Sequence, residues 1–175
     1  MASSSVDYTS THFEFPVLDK IHGEPNYESL KTLKKQLKAN ALSVSSTLGG
    51  GNFGLLGLVL TDPEYARISN DQFVEPVRPG PFTVPQFTAN HDLIRLQGEH
   101  EARVATYNDC MTVKKALIKQ ISAAVEEKYL KELRTEETNS IDMPVHQVLT
   151  VLFHRYGQVT PEKLAMEEAS FASFY

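Results

Sequence analysis

At 175 residues and 41% hydrophobic content, the chain can build one core and is short for two. Its net charge of −5 is spread without a large basic block, which argues against strong nucleic-acid binding by this segment alone. A single cysteine, Cys110, excludes an internal disulfide and any cysteine-based zinc site.

The first residues, Met1-Ala-Ser-Ser-Ser-Val, hold no apolar run of the kind a secretory signal needs. No stretch approaches the ~20 apolar residues that cross a bilayer. A soluble, cytoplasmic protein without a membrane partner is expected. Residues 1–20 are predicted as a disordered or extended arm, in which Phe13, Phe15, Val17 and Leu18, with Ile21, are placed to dock before Gly23 and Pro25 break the chain.

A helix is predicted from Asn26, the capping candidate, because Tyr27, Leu30, Leu33, Leu37, Ala41, Val44 and Leu48 recur at steps of three or four. Lys31, Lys34, Lys35 and Lys38 fall on its wet side. Gly49-Gly-Gly51 is expected to end it, since glycine accepts the left-handed conformation that stops helices. The apolar run Gly54–Leu60 is either a buried turn of helix or a strand. The helix is preferred, because no partner strand is in sight. Thr61-Asp-Pro-Glu64 has the form of a capping box with proline in the first turn, and starts a brief helix to about Ser69.

From Asn70 to Phe87 the prolines at 76, 79, 81 and 85 forbid regular helix. The interleaved Phe73, Val74, Val77, Phe82, Val84 and Phe87 predict a segment lying extended along the domain with its aromatics pressed into grooves. A long helix then starts near Thr88 or Asn90. Leu93, Leu96, His100, Val104, Tyr107 and Met111 lead into Val113, Leu117, Ile121 and Val125, with Gly98 a weak point costing about 1 kcal/mol relative to alanine. Glu126–Leu133 extends or restarts that helix, and Thr135–Ser140 is a polar connection. Asp142 or a neighbour is expected to cap a helix from Pro144 to Gly157. Leu117, Ile121, Leu149, Leu152 and Phe153 are predicted to meet in the core. A last helix, capped by Thr160, carries Leu164 and Met166. The final aromatics Phe171, Phe174 and Tyr175 suggest burial on a partner. The expected fold class is all-α: a helical bundle spanning residues 21–166 with a long Pro/Phe-rich extended loop, followed by a mobile aromatic tail at 167–175.

The chemistry is sparse. Gly49-Gly-Gly-Asn-Phe-Gly54 lacks the Gly-Lys-Ser/Thr that lets a phosphate loop meet phosphates and magnesium, and is predicted as a helix stop and hinge. The six histidines show no metal-ligand spacing. Cys110 lies within a helical pattern between Asp109 and Met111 and is predicted as a small buried or half-buried residue, not a nucleophile, which would need an activating base and an exposed thiolate. No Gly-x-Ser-x-Gly elbow occurs. No catalytic, cofactor or metal site is therefore expected, and the chain is not predicted to be an enzyme. Lys31, Lys34, Lys35 and Lys38 form a solvated face and are the candidate for a weak RNA contact.

In order along the chain, Asn26–Asn40, Leu48-Gly-Gly-Gly51, Gly57–Leu60, Val113–Ile121, Tyr129–Leu133, Leu152–Gly157 and Val159–Leu164 resemble the Gag polyprotein of copia-type LTR retrotransposons. The likeness spans roughly residues 21–166, and its motifs are structural, not catalytic. It implies a capsid-like helical domain that self-assembles into a shell around RNA. The chain departs from that pattern in two places: it stops where such Gags enter a second helical half, and it lacks the zinc knuckle Cys-x-x-Cys-x-His-x-Cys. A truncated or repurposed self-association module is the leading expectation. The alternative is a small helical adaptor that grips a partner protein through segment 73–87 or the aromatic C-terminus. The interface candidates are Phe82, Phe87, Phe171, Phe174 and Tyr175.

Overall fold

The computed structural model describes residues 7–158, and among these the only regular secondary structure is helix. The elements are α1 (Tyr8–Thr11), α2 (Tyr27–Leu42), α3 (Asp62–Ala66), α4 (Asn90–Ala124), α5 (Glu127–Leu130) and α6 (Val145–Tyr156). Three 3-10 turns, at Leu48–Gly50, Leu56–Leu58 and Lys131–Leu133, join them. The Thr160-capped helix and the aromatic tail with Phe171, Phe174 and Tyr175 lie outside the described residues.

Helix α2 begins as its sequence dictates. The Asn26 carboxamide accepts from Ser29 N at 2.9 Å, and Ser29 Oγ accepts from Asn26 N at 2.9 Å, so two free amides are satisfied reciprocally. Its end departs from expectation: the helix stops at Leu42, and Val44 and Leu48 lie beyond it. Two competing bonds explain the early stop. Ser43 Oγ donates to Asn40 O, and Leu55 N donates to Ala41 O at 3.0 Å, so the apolar run folds back onto the helix end. Gly54 makes that approach possible, with φ of 52° and backbone carbonyls of Ala41, Leu42 and Val44 where a side chain would stand. The run itself forms a 3-10 turn with Leu55, Leu56, Leu58, Val59 and Leu60 buried. Helix α3 follows behind the Thr61–Glu64 capping box.

The core gathers Leu30, Leu33 and Leu37 of α2, Val113, Leu117 and Ile121 of α4, and Val145, Val148, Leu149 and Leu152 of α6. Phe153 departs from expectation. It is half-buried, with its ring edge-on to Tyr27 at 6.1 Å, because it stands one position round the helix from Leu152. Asp142 also departs: it does not cap α6 but accepts from Ser140 Oγ at 2.9 Å. The helix starts instead at Pro144, whose carbonyl accepts from Gln147 N and Val148 N.

Between α2 and α4 runs the extended segment 13–21. Phe13, Leu18 and Ile21 enter the core, whereas Val17 stays exposed. The backbone of this segment is met by side-chain amides instead of a neighbouring strand. Asn40 accepts from Phe15 N at 2.8 Å and donates to Phe15 O at 2.9 Å, and Gln120 donates to Phe15 O and Pro16 O. Asn40 and Gln120 also bond to each other, at 2.9 Å. Gln36 accepts from Asp19 N, and Ile21 N donates to Ala124 O at 2.7 Å. Every polar side-chain atom buried here has a partner among the described residues.

Candidate functional site

Two surfaces stand out, and both are positioned by α2 or α4. The first belongs to the N-terminal half of α4. Buried residues in this 35-residue helix begin only at Cys110, so its first twenty residues, roughly 30 Å at helical rise, carry no core side chain. Leu93, Leu96, Val104 and Tyr107 are half-buried, yet none is packed against the core.

Along this half lies the proline-rich segment, which has no regular secondary structure from residue 72 to 85. Glu75 pairs with Lys114 at 2.8 Å, and the Phe82 ring sits 5.4 Å from that of His100. Seven extended residues span roughly 23 Å and fourteen helical residues roughly 21 Å, so the segment runs antiparallel to α4 as a strap. Only Phe73 of its aromatics is buried, against Tyr65. Phe82 and Phe87 are not pressed into grooves as expected. Phe87, in the left-handed region at φ 66°, is 96% exposed, because the turn into α4 leaves it no neighbouring surface. Val77 is 86% exposed and Ile94 71% exposed.

The second surface is the outer face of α2. Lys31, Lys34, Lys35 and Lys38 line an open groove of about 560 Å³ together with Tyr27, Glu64 and Phe153. Lys34 donates to Glu64 at 2.7 Å. Burial works against the charge on Glu64, but the Lys34 ammonium and the Thr61 donors outweigh it and hold its carboxyl below the usual range. Lys31 stands 6.0 Å above the Tyr27 ring. Lys31, Lys35 and Lys38 pair with no carboxylate among the described residues. The sequence placed the four lysines on one face. It could not show Glu64 and Phe153 beside them, because those residues arrive from α3 and α6.

Other candidates resolve into structure. The Gly49 carbonyl accepts from the Tyr65 hydroxyl at 2.7 Å, so the glycine stretch is packed beneath α3. Burial and the nearby Glu75 carboxylate push the Cys110 thiol up to about 12, partly offset by Lys114, which leaves it protonated at neutral pH. No group of three or more His, Cys, Asp or Glu side chains comes together among the described residues. None of the described helices is long and apolar enough to cross a membrane. Comparison of the chain with protein-family models, with curated proteins and with solved structures gave no match.

Proposed function

We propose that this chain is a structural self-association module, a helical bundle of capsid-like type, in which copies join through the half of α4 that stands clear of the core and the strap beside it. The exposure of Val77, Phe87 and Ile94 on one helix-and-strap unit is the observation that supports it. Large apolar side chains left uncovered along one such unit suit an interaction surface, and burying each contributes about 1.5–3 kcal/mol. A second copy is the partner the reading names. Like apolar arms are self-complementary, and a two-fold pairing needs only one kind of patch. The resemblance to Gag points the same way, and the reading assigns no catalysis.

Sedimentation velocity over a hundredfold range of protein concentration tests it. The unaltered chain should move from monomer to larger species, and Phe87→Ser/Ile94→Ser should remain monomeric with an unchanged melting temperature. A chain that stays monomeric throughout would overturn the reading and favour the adaptor alternative, in which the same strap grips a different protein.

A further inference from the structure

We infer that the groove on the outer face of α2 is a binding site for single-stranded nucleic acid, with lysines on its phosphates and Tyr27 and Phe153 against a base. The inference stands apart from self-association and rests on different residues. Lys31, Lys35 and Lys38 occupy positions i, i+4 and i+7, one above another on the helix and roughly 10 Å from first to last. On a chain with 22 acidic and 17 basic residues, ammonium groups usually find carboxylates close by. Here the only carboxylate lining the groove, Glu64, is taken up by Lys34. The other three charges are aligned and meet no carboxylate among the described residues, with Lys35 exposed, Lys38 half-buried and Lys31 above the Tyr27 ring, which suits a ligand whose charges repeat along a line.

The aromatic end of the groove separates a nucleic acid from other polyanions. Tyr27 and Phe153 are both half-exposed, and their rings meet edge to face at 68°. In an edge-to-face pair at least one face of each ring stays clear of the other ring. Stacking of a base on such a face contributes whatever the base identity, and it needs an unpaired strand, because duplex bases are already stacked. Lysines beside aromatics in an open channel make up the usual composition of a site that tracks a strand without reading its sequence.

Fluorescence anisotropy with a labelled 20-residue oligouridylate, using the full chain, tests the assignment. Three phosphate contacts predict a salt slope near −2, so affinity should fall about 20-fold between 50 and 200 mM salt. Lys35→Gln/Lys38→Gln should flatten that slope to about −0.7. Phe153→Leu keeps an apolar side chain on α6; it should weaken binding several-fold and leave the slope unchanged, a split that a purely ionic surface would not give. A duplex of equal length should bind several-fold more weakly, and uridine triphosphate should displace the strand only at far higher concentration. The assignment is overturned if polyglutamate of equal charge competes as well as the oligonucleotide, if the triphosphate alone binds as tightly, or if the lysine variant binds like the parent.

Discussion

Asn40 shows how much one side chain can hold. It is fully buried on the inner face of α2, and its amide takes both backbone groups of Phe15 while also donating to Gln120. Asn40→Leu is close in size, but it leaves the Phe15 N–H and the Gln120 oxygen without their partner. An orphaned buried group costs about 1–3 kcal/mol, so the variant should lose about 2–5 kcal/mol of stability. Urea titration measures this, and a loss under 1 kcal/mol would mean that water replaces the amide. Glu64 makes a smaller, pH-dependent contribution. Its carboxyl is held low in the folded chain, so its stabilisation is present above the ordinary glutamate range near pH 4 and disappears as pH falls through the lowered value. Lys34→Gln should therefore differ from the parent in melting temperature at pH 6 and converge with it at pH 3. A constant gap across that interval would show that Lys34 acts through packing instead of charge.

At the scale of elements, the segment from Phe13 to Ile21 acts as a further core element, although it forms neither helix nor strand. Deleting residues 1–22 would expose the cleft filled by Phe13, Leu18 and Ile21 and remove the backbone partners of Gln36, Asn40 and Gln120. Burying three such side chains is worth several kcal/mol, and each kcal/mol moves the midpoint by about 2–4 °C at this length. The shortened chain should melt at least 10 °C lower by circular dichroism; an unchanged midpoint would mark the segment as loosely held. The sequence shows Phe13, Leu18 and Ile21 as apolar, but not what receives them, because Asn40 and Gln120 are 80 residues apart and each is an ordinary helix residue in its own window. Local chemistry is legible where both partners lie within one turn, as in the Asn26–Ser29 and Thr61–Glu64 boxes. It fails at the end of α2, where Leu55 arrives from a later segment, and at Phe153, whose partner Tyr27 is on another helix. Of the two candidate surfaces, the lysine row was legible from spacing alone. The exposure of Phe87 and Ile94 was not, because a helical pattern cannot say where the body it packs on comes to an end.

For the molecule as a whole, α4 is one continuous helix living in two environments, and this sets how the protein should open. Residues 110–124 share the core with α2 and α6, so their amides should exchange with solvent only when the whole domain unfolds. Residues 90–109 have no core side chain, and their helix is held by its own hydrogen bonds, the strap and ion pairs such as Arg95–Glu99 at 2.9 Å. Isolated helices of this length are marginal in water, and Gly98 lowers the local propensity further. Hydrogen exchange at low protein concentration should therefore divide α4 near Cys110, with protection in the first half at least a hundredfold below that in the second. The Cys110 thiol supplies an independent marker of global opening, since it is buried and protonated: its labelling rate should follow the slow amides and not the fast ones. Raising the concentration completes the test. If copies pair through the free half of α4, mass action stabilises that half alone at first, and its protection should rise with concentration while the core amides lag behind. Equal protection along all of α4 in the dilute monomer would mean that the strap suffices to make the projecting half part of the folded body. A gap that persists unchanged at high concentration would place the association surface elsewhere on the molecule.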